Sequence, residues 1–209
     1  MSDGELPTRM PTKARMEALS DGIFAVAMTL LVLDIKMPEG VHLQGNADLW
    51  RHFALIAHAF VVYALSFAVL AMFWAAHNYQ FHFVEKLDRP LLWTNFAFLL
   101  ATTTIPFTTN LITTHPDLAL AVSVYAANIL LLDLVLLLHL RRLQYQPGLS
   151  TKEFKTVRIG YMQKRLLLMC SVPLIAIAVA QISPAWGLRT FYLLVALHFL
   201  PHWTEKVEA

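Results

Sequence analysis

Residues 15–38 read RMEALSDGIFAVAMTLLVLDIKMP, a stretch of helix length that is polar for its first two turns and apolar for the next three. A helix of that kind is badly suited to facing lipid and well suited to lining a path through a protein assembly. At about 100° per residue, Arg15, Gly22, Val26, Thr29 and Leu33 fall within about 60° of one another, with Leu19 and Leu30 flanking the stripe. Phe24, Met28, Leu31 and Ile35 make bulkier faces, and Ser20 and Asp21 point away from the stripe, where only protein partners would satisfy them. The same pattern also allows a helix packed centrally within its own bundle, with Gly22 and Thr29 permitting close approach.

The rest of the chain sets the environment of this helix. Of 209 residues, 57% are hydrophobic and only 14% charged, with a mean hydropathy of +0.56. Soluble domains carry about 25% charged residues, so a membrane protein is expected. A net charge of +2, with no Lys/Arg stripe interleaved with aromatics, argues against a nucleic-acid partner. The single cysteine, Cys170, excludes an intrachain disulfide and reads as a small buried hydrophobe, and no Cys/His spacing suits a structural zinc. The first apolar run ends in Asp34-Ile35-Lys36-Met37-Pro38 rather than at a small-residue cleavage site, which argues against a cleaved signal peptide.

Against the roughly 20 residues that cross a bilayer, the apolar runs predict an all-α bundle of six transmembrane helices. They are expected over residues 13–36, 49–78, 91–112, 118–143, 165–182 and 186–200, with short end segments at 1–12 and 201–209. The last two are short, and the sixth contains Arg189. Pro90 suits a first helical turn, Pro116 and Pro184 suit connections, and Pro106 and Pro173 should kink their helices, with nearby Thr or Ser taking up freed carbonyls. Thirteen Lys/Arg, among them Arg9, Lys86, Arg141, Arg142, Lys164 and Lys206, fall on one side of this map and three, Lys36, Arg51 and Arg189, on the other. The basic side should be cytoplasmic, which puts both termini there. The basic connection 144–164 is read as topology-setting charge ahead of an anionic-lipid patch.

Arg15 to Leu33, with its Arg, three residues, Leu19-Ser20-Asp21-Gly22 and a Thr29-Leu30-Leu31 core, resembles the first-helix signature of the lysosomal potassium channel family (transmembrane protein 175) and its bacterial single-repeat branch. Leu19 stands where the family usually has Phe, an apolar-for-apolar change. Trp74, His77 and Asn78 late in the second predicted helix, and Trp93 and Asn95 opening the third, are similar to the family's polar and aromatic partners for that motif. The resemblance covers the first three helices, while the rest match in number and hydrophobicity.

The resemblance implies a homotetramer in the lipid bilayer of the cell (plasma or inner) membrane, since one first helix cannot enclose a pore. It implies a potassium channel whose hydrophobic constriction falls on Val26, Leu30 and Leu33, with Gly22 on the same face and a ring of Thr29 hydroxyls between Val26 and Leu33. Permeant K+ would pass near Thr29, with no cofactor, structural metal or small-molecule substrate. The chain has no Thr-Val-Gly-Tyr-Gly carbonyl filter, so selectivity must come from narrow apolar rings and the few hydroxyls. Ser20 and Asp21 would form an interhelical network with His77, Asn78 and Trp93. Arg15 is left open: projection points it to the pore mouth, while the resemblance gives it to that network.

Asp133, in the apolar run Leu130 to Val135, is the main competing feature: either a proton relay in a small secondary transporter or proton-coupled protein, or a partner of a neighbouring helix's donor. His58, Asn128, Gln181, Arg189 and His198 read as interhelical groups, and Asp34 as a group that could concentrate cations. No internal repeat supports a transporter. With no His-Glu-x-x-His or Gly-x-Ser-x-Gly and scattered histidines, an enzyme is not expected.

Overall fold

The computed structural model describes residues 10–36, 45–156 and 159–199. Residues 1–9, the segment 201–209 and the basic residues Arg9, Arg158 and Lys206 lie outside the described residues. The described residues are all-helical apart from connections and one isolated β-bridge, Val84 to Ser150.

Helix α1, Lys13–Leu30, starts at Thr12, whose hydroxyl accepts the Arg15 N–H at 3.4 Å. It continues as a 3₁₀ turn, Leu31–Asp34. Helix α2, Asn46–His82, has 37 residues, or about 55 Å at 1.5 Å per residue. That exceeds a hydrocarbon core of about 30 Å, and its apolar spanning stretch is Ile56–His82.

The third predicted helix forms as two pieces, α3 (Arg89–Thr103) and α4 (Ile105–Thr114). Pro106 is the cause: it has no N–H to offer the preceding turn, and its ring crowds that turn's carbonyl. The hydroxyls of Thr102, Thr103 and Thr104 donate to the carbonyls of Phe98, Leu100 and Ala101 at 2.8–2.9 Å around the break. Asp88 caps α3 through the Leu91 N–H at 2.9 Å, and Pro90 sits in its first turn.

Helix α5, Ala119–Tyr145, is the central post. It buries Tyr125, Ile129, Leu132, Leu136 and Leu140, and it packs mainly on α3, α4 and α6. Helix α6, Ile159–Ala180, begins six residues before the expected start and runs unbroken through Pro173. Helix α7, Pro184–Phe199, folds back on it, and the crossing requires Gly187: a Cβ there would lie 2.7 Å from the Ala180 Cβ.

Among the described residues, five stretches are long and apolar enough to cross a membrane: Lys13–Asp34, Ile56–His82, Arg89–Thr114, Ala119–Tyr145 and Ile159–Ala180. At 16 residues, α7 is about 24 Å long, and its Arg189 lies over the Trp186 ring at 4.6 Å. Leu100, Phe107, Leu138, Ile175 and Leu193 stand exposed on the outside, an apolar surface that suits acyl chains.

The basic end of the bundle is tied together by backbone and charge. Glu85 N–H donates to Leu149 O at 2.7 Å and Thr151 N–H to Phe83 O at 2.9 Å, joining the α2–α3 and α5–α6 connections. Asp88 pairs with Arg142, whose Nε donates to both carboxylate oxygens at 3.0 and 3.1 Å. Burial by itself would raise the Asp88 carboxyl, but the Arg142 hydrogen bonds and charge and the Leu91 N–H outweigh it and hold the group below its ordinary value.

Candidate pore face of the first helix

The sequence of α1 divides it into two faces. Met16, Ser20, Phe24, Ala27 and then Leu31 recur every three to four residues, and all five are buried. They form the seam that docks α1 on α2 and α3. The opposite face stays open: Val26 is 58% and Leu33 64% exposed, and Arg15, Leu19, Gly22, Thr29 and Leu30 are exposed as well. A Cβ added at Gly22 would meet nothing within 4 Å.

Two details shape this open face. The Thr29 hydroxyl donates to the Val26 carbonyl at 2.9 Å. Its proton is thus used inside the helix, and the oxygen lone pairs are left as acceptors on the open side. The 3₁₀ turn after Leu30 advances about 120° per residue, so Leu30 and Leu33 eclipse and lie on one line.

Beside the seam lies a polar and aromatic cluster that differs in its pairing from the expected network. Ser20 is fully buried, but its hydroxyl donates to Met16 O in its own helix at 2.9 Å. Asp21 accepts from the Trp74 indole N–H at 2.8 Å. His77 pairs through Nε2 with the Asn95 side-chain oxygen at 2.8 Å and stacks on Phe98, ring centroids 5.1 Å apart and nearly parallel, with Phe24 of α1 at 5.8 Å from Phe98. Asn78 is half-buried and bonds neither Ser20 nor Asp21. Trp93 turns outward, 68% exposed, against Phe96. The register explains this: on α2, Trp74 and His77 are three residues apart and share the α1-facing side, whereas Trp93 lies two residues from Asn95 and so points elsewhere. The Arg15 guanidinium makes no ion pair among the described residues.

A second set of polar contacts crosses the other half of the bundle. Asn110 Nδ2 donates to Asp34 at 3.0 Å, Thr109 Oγ1 donates to Ser66 Oγ at 2.9 Å, and Ser66 and the Tyr125 hydroxyl are 3.1 Å apart. Sequence reading missed this set; the Thr-rich run 102–109 and a tyrosine inside an apolar helix were the available signal. Gln181 reaches Ser123 at 3.2 Å, the interhelical role expected for it. Asp133 is buried, and its Oδ2 has no hydrogen-bond partner among the described residues. The His198 side chain lies outside the described residues. No three of His, Cys, Asp or Glu converge on a metal position among the described residues.

Residues 15–106 match the family described as the endosomal/lysosomal potassium channel TMEM175. A Streptomyces collinus protein named a potassium channel is 35% identical over 103 residues, which span 49% of this chain and 48% of that one. A human protein named an endosomal/lysosomal proton channel TMEM175 is 25% identical over 191 residues, 90% of this chain and 37% of its own length. The chain thus spans about half or less of the length of these relatives. The crystal structure of a lysosomal potassium-selective channel TMEM175 homologue from Chamaesiphon minutus superposes with a TM-score of 0.77 at 25% identity, covering 88% of this chain and 95% of that one. The family match takes in the two-faced helix from Arg15 onward together with Trp74, His77, Asn95 and Phe98 on the helices that receive it, and the solved homologue repeats the fold over most of the remainder: over residues 15–106 the chain is similar to the TMEM175 family, and it shares that homologue's fold.

Proposed function

We propose that this chain is one subunit of a potassium-preferring channel whose pore is enclosed by the first helices of four copies. One observation carries the reading. α1 is buried along Met16, Ser20, Phe24, Ala27 and Leu31, yet leaves Gly22, Val26, Thr29, Leu30 and Leu33 open on the far side, where no helix among the described residues of the same protomer covers them. A cyclic assembly brings four such faces to one axis.

In this assembly Val26, Leu30 and Leu33 form apolar rings, which pass ions only when wetted and penalise the most strongly hydrated ion most. Sodium holds its water more tightly than potassium, so partial dehydration favours potassium. Thr29 lies between the rings, and its outward lone pairs give the dehydrated ion an oxygen to meet. Ser20, Asp21, Trp74, His77 and Asn95 fix the angle at which α1 leaves its own bundle. Arg15 sits at the mouth of the path.

Six crossings, counting α7, with the basic end of the bundle cytoplasmic, accommodate the Lys/Arg distribution in the cell (plasma or inner) membrane. Asp133 supports a second reading, a proton-coupled membrane protein, because its Oδ2 lacks a hydrogen-bond partner inside an apolar helix. Purified protein in liposomes separates the two. A channel passes K+ down an imposed gradient alone, and flux that requires a proton gradient and disappears in Asp133→Asn would establish the second reading in its place.

A further inference from the structure

The first helix changes its winding before it ends. From Leu31 to Asp34 it is 3₁₀, so residues three apart eclipse: Leu30 with Leu33 on the open side, and Leu31 with Asp34 on the side of α4. Leu31 is fully buried and Asp34 is half-buried. Had the α-helix continued, Leu33 would be turned by about 60° relative to Leu30, because three residues advance about 300° instead of about 360°. The tighter winding has the poorer hydrogen-bond geometry and needs something to hold it.

The side-chain hydrogen bond that fastens this turn is Asn110 Nδ2 to Asp34 Oδ1, 3.0 Å, spanning 76 residues of sequence. Asn110 belongs to α4, the half-helix that Pro106 separates from α3. That half-helix is itself fixed next door. Thr109 donates to Ser66 Oγ at 2.9 Å, which lies 3.1 Å from the Tyr125 hydroxyl, and all three residues are buried. A narrow crevice lined by Leu31, Asp34, Tyr63, Thr109 and Thr113 lies beside the contact.

We infer that Asn110 is a positioning residue for the far constriction: by holding Asp34 against the anchored α4 half-helix, it keeps the last turn of the first helix wound so that Leu33 stays in line with Leu30. The inference rests on the reading that Leu33 faces its equivalents across an axis. It also reassigns Asp34, whose carboxylate is engaged by an amide, from concentrating cations to holding backbone.

Disulfide trapping of the full chain in detergent tests it. Cys170 is the only native cysteine, so Leu33→Cys is placed in a Cys170→Ala background and the rate of oxidative cross-linking between copies is measured. Asn110→Asp, which sets a second carboxylate against Asp34, is expected to slow the reaction at position 33 by about fivefold or more, and Asn110→Ala by a smaller factor. The exchange Asp34→Asn with Asn110→Asp, in which the amide donates from position 34, is expected to restore the rate to within about twofold. An unchanged rate in Asn110→Asp overturns the inference, as does an exchanged pair that elutes as the same assembly without recovery. Should Asn110→Asp fail to assemble, Asn110→Ala against the exchanged pair makes the same comparison, and an unchanged rate there is equally fatal. A parent that does not cross-link at position 33 at all refutes the pore reading itself, a different failure.

Discussion

The Trp74 indole donates to the Asp21 carboxylate across 2.8 Å, joining α2 to the exposed flank of α1 at the residue just before Gly22. Three residues along α2, His77 is fully buried between Phe81 and Phe98. One helix therefore grips the first at two depths, with a charge-assisted bond at the rim and a ring stack inside. The two contacts set the angle of α1 without occupying its open face.

Asp21→Ala and Trp74→Phe should each weaken that grip by about 1 kcal/mol, since a single partly exposed hydrogen bond contributes that much. The expected outcome is a reduced fraction of assembled protein by size-exclusion chromatography, with the ion preference of the remaining assemblies unchanged. A fully assembled Asp21→Ala protein with altered reversal potential would move Asp21 into the conduction path.

Thr29→Ala removes the hydroxyl whose proton is held by Val26 O and whose oxygen is left facing outward. Potassium-over-sodium preference should fall, read as a reversal-potential shift in bilayer recordings under bi-ionic conditions. Thr29→Ser keeps the oxygen and should retain most of the preference. Identical reversal potentials for all three proteins would remove the hydroxyl ring from the account.

Val26→Asn and Leu33→Asn place a polar group on residues that are 58% and 64% exposed in the protomer, so neither should unfold it. Both should ease wetting of the apolar rings and raise resting K+ flux into liposomes, about tenfold if the dewetting barrier falls by about 1.4 kcal/mol. No rise in flux at either position would place the constriction elsewhere.

Asp88 and Arg142 give a pH signature. Because the folded carboxyl lies below its ordinary value of 3.8, the pair's contribution is complete above that value and is lost as pH falls through the lower folded-state value. Asp88→Asn keeps an N-cap acceptor for Leu91 but loses the ion pair, which at this partial exposure contributes about 1 kcal/mol. Its melting temperature should be lower near neutral pH and should fall less steeply than the parent's on acidification. Parallel pH curves for the two proteins would show that the pair contributes nothing.

Gly187→Ala should cost about 1–3 kcal/mol, because the new Cβ would sit 2.7 Å from the Ala180 Cβ and 2.9 Å from its Cα. Thermal unfolding measures this, and Ala180→Gly in the same chain should recover only part, since the Cα and the Ala176 carbonyl remain close.

Periodicity made the helices legible, and the alternation of small, apolar and hydroxyl residues between Arg15 and Leu33 marked the two-faced helix. Winding was not legible. Nothing in Leu31-Val32-Leu33-Asp34 distinguishes a 3₁₀ turn from a last turn of α-helix, because the difference lies in what Asp34 meets 76 residues away. Partner choice was also beyond local reading. Trp74, His77, Asn78, Trp93 and Asn95 were all visible as candidates, but which of them face α1 depends on helix rotation, and rotation is set by Phe24, Phe81 and Phe98 packing around the imidazole. Pro106 signalled a kink, and the helix is interrupted at Thr104 alone, whose N–H meets the Thr102 carbonyl that Pro106 leaves free and whose hydroxyl donates to Ala101 O.

The uncovered side of the first helix also has a genetic meaning. In the proposed ring of four, every copy would contribute an equal share of the wall, so one faulty wall segment would spoil the path for the three sound copies. Where altered and normal genes are expressed equally, random mixing leaves only about one assembly in sixteen free of altered chains. A lesion on this face should therefore act dominantly, while one that merely unfolds the subunit removes itself from the mixture and stays recessive.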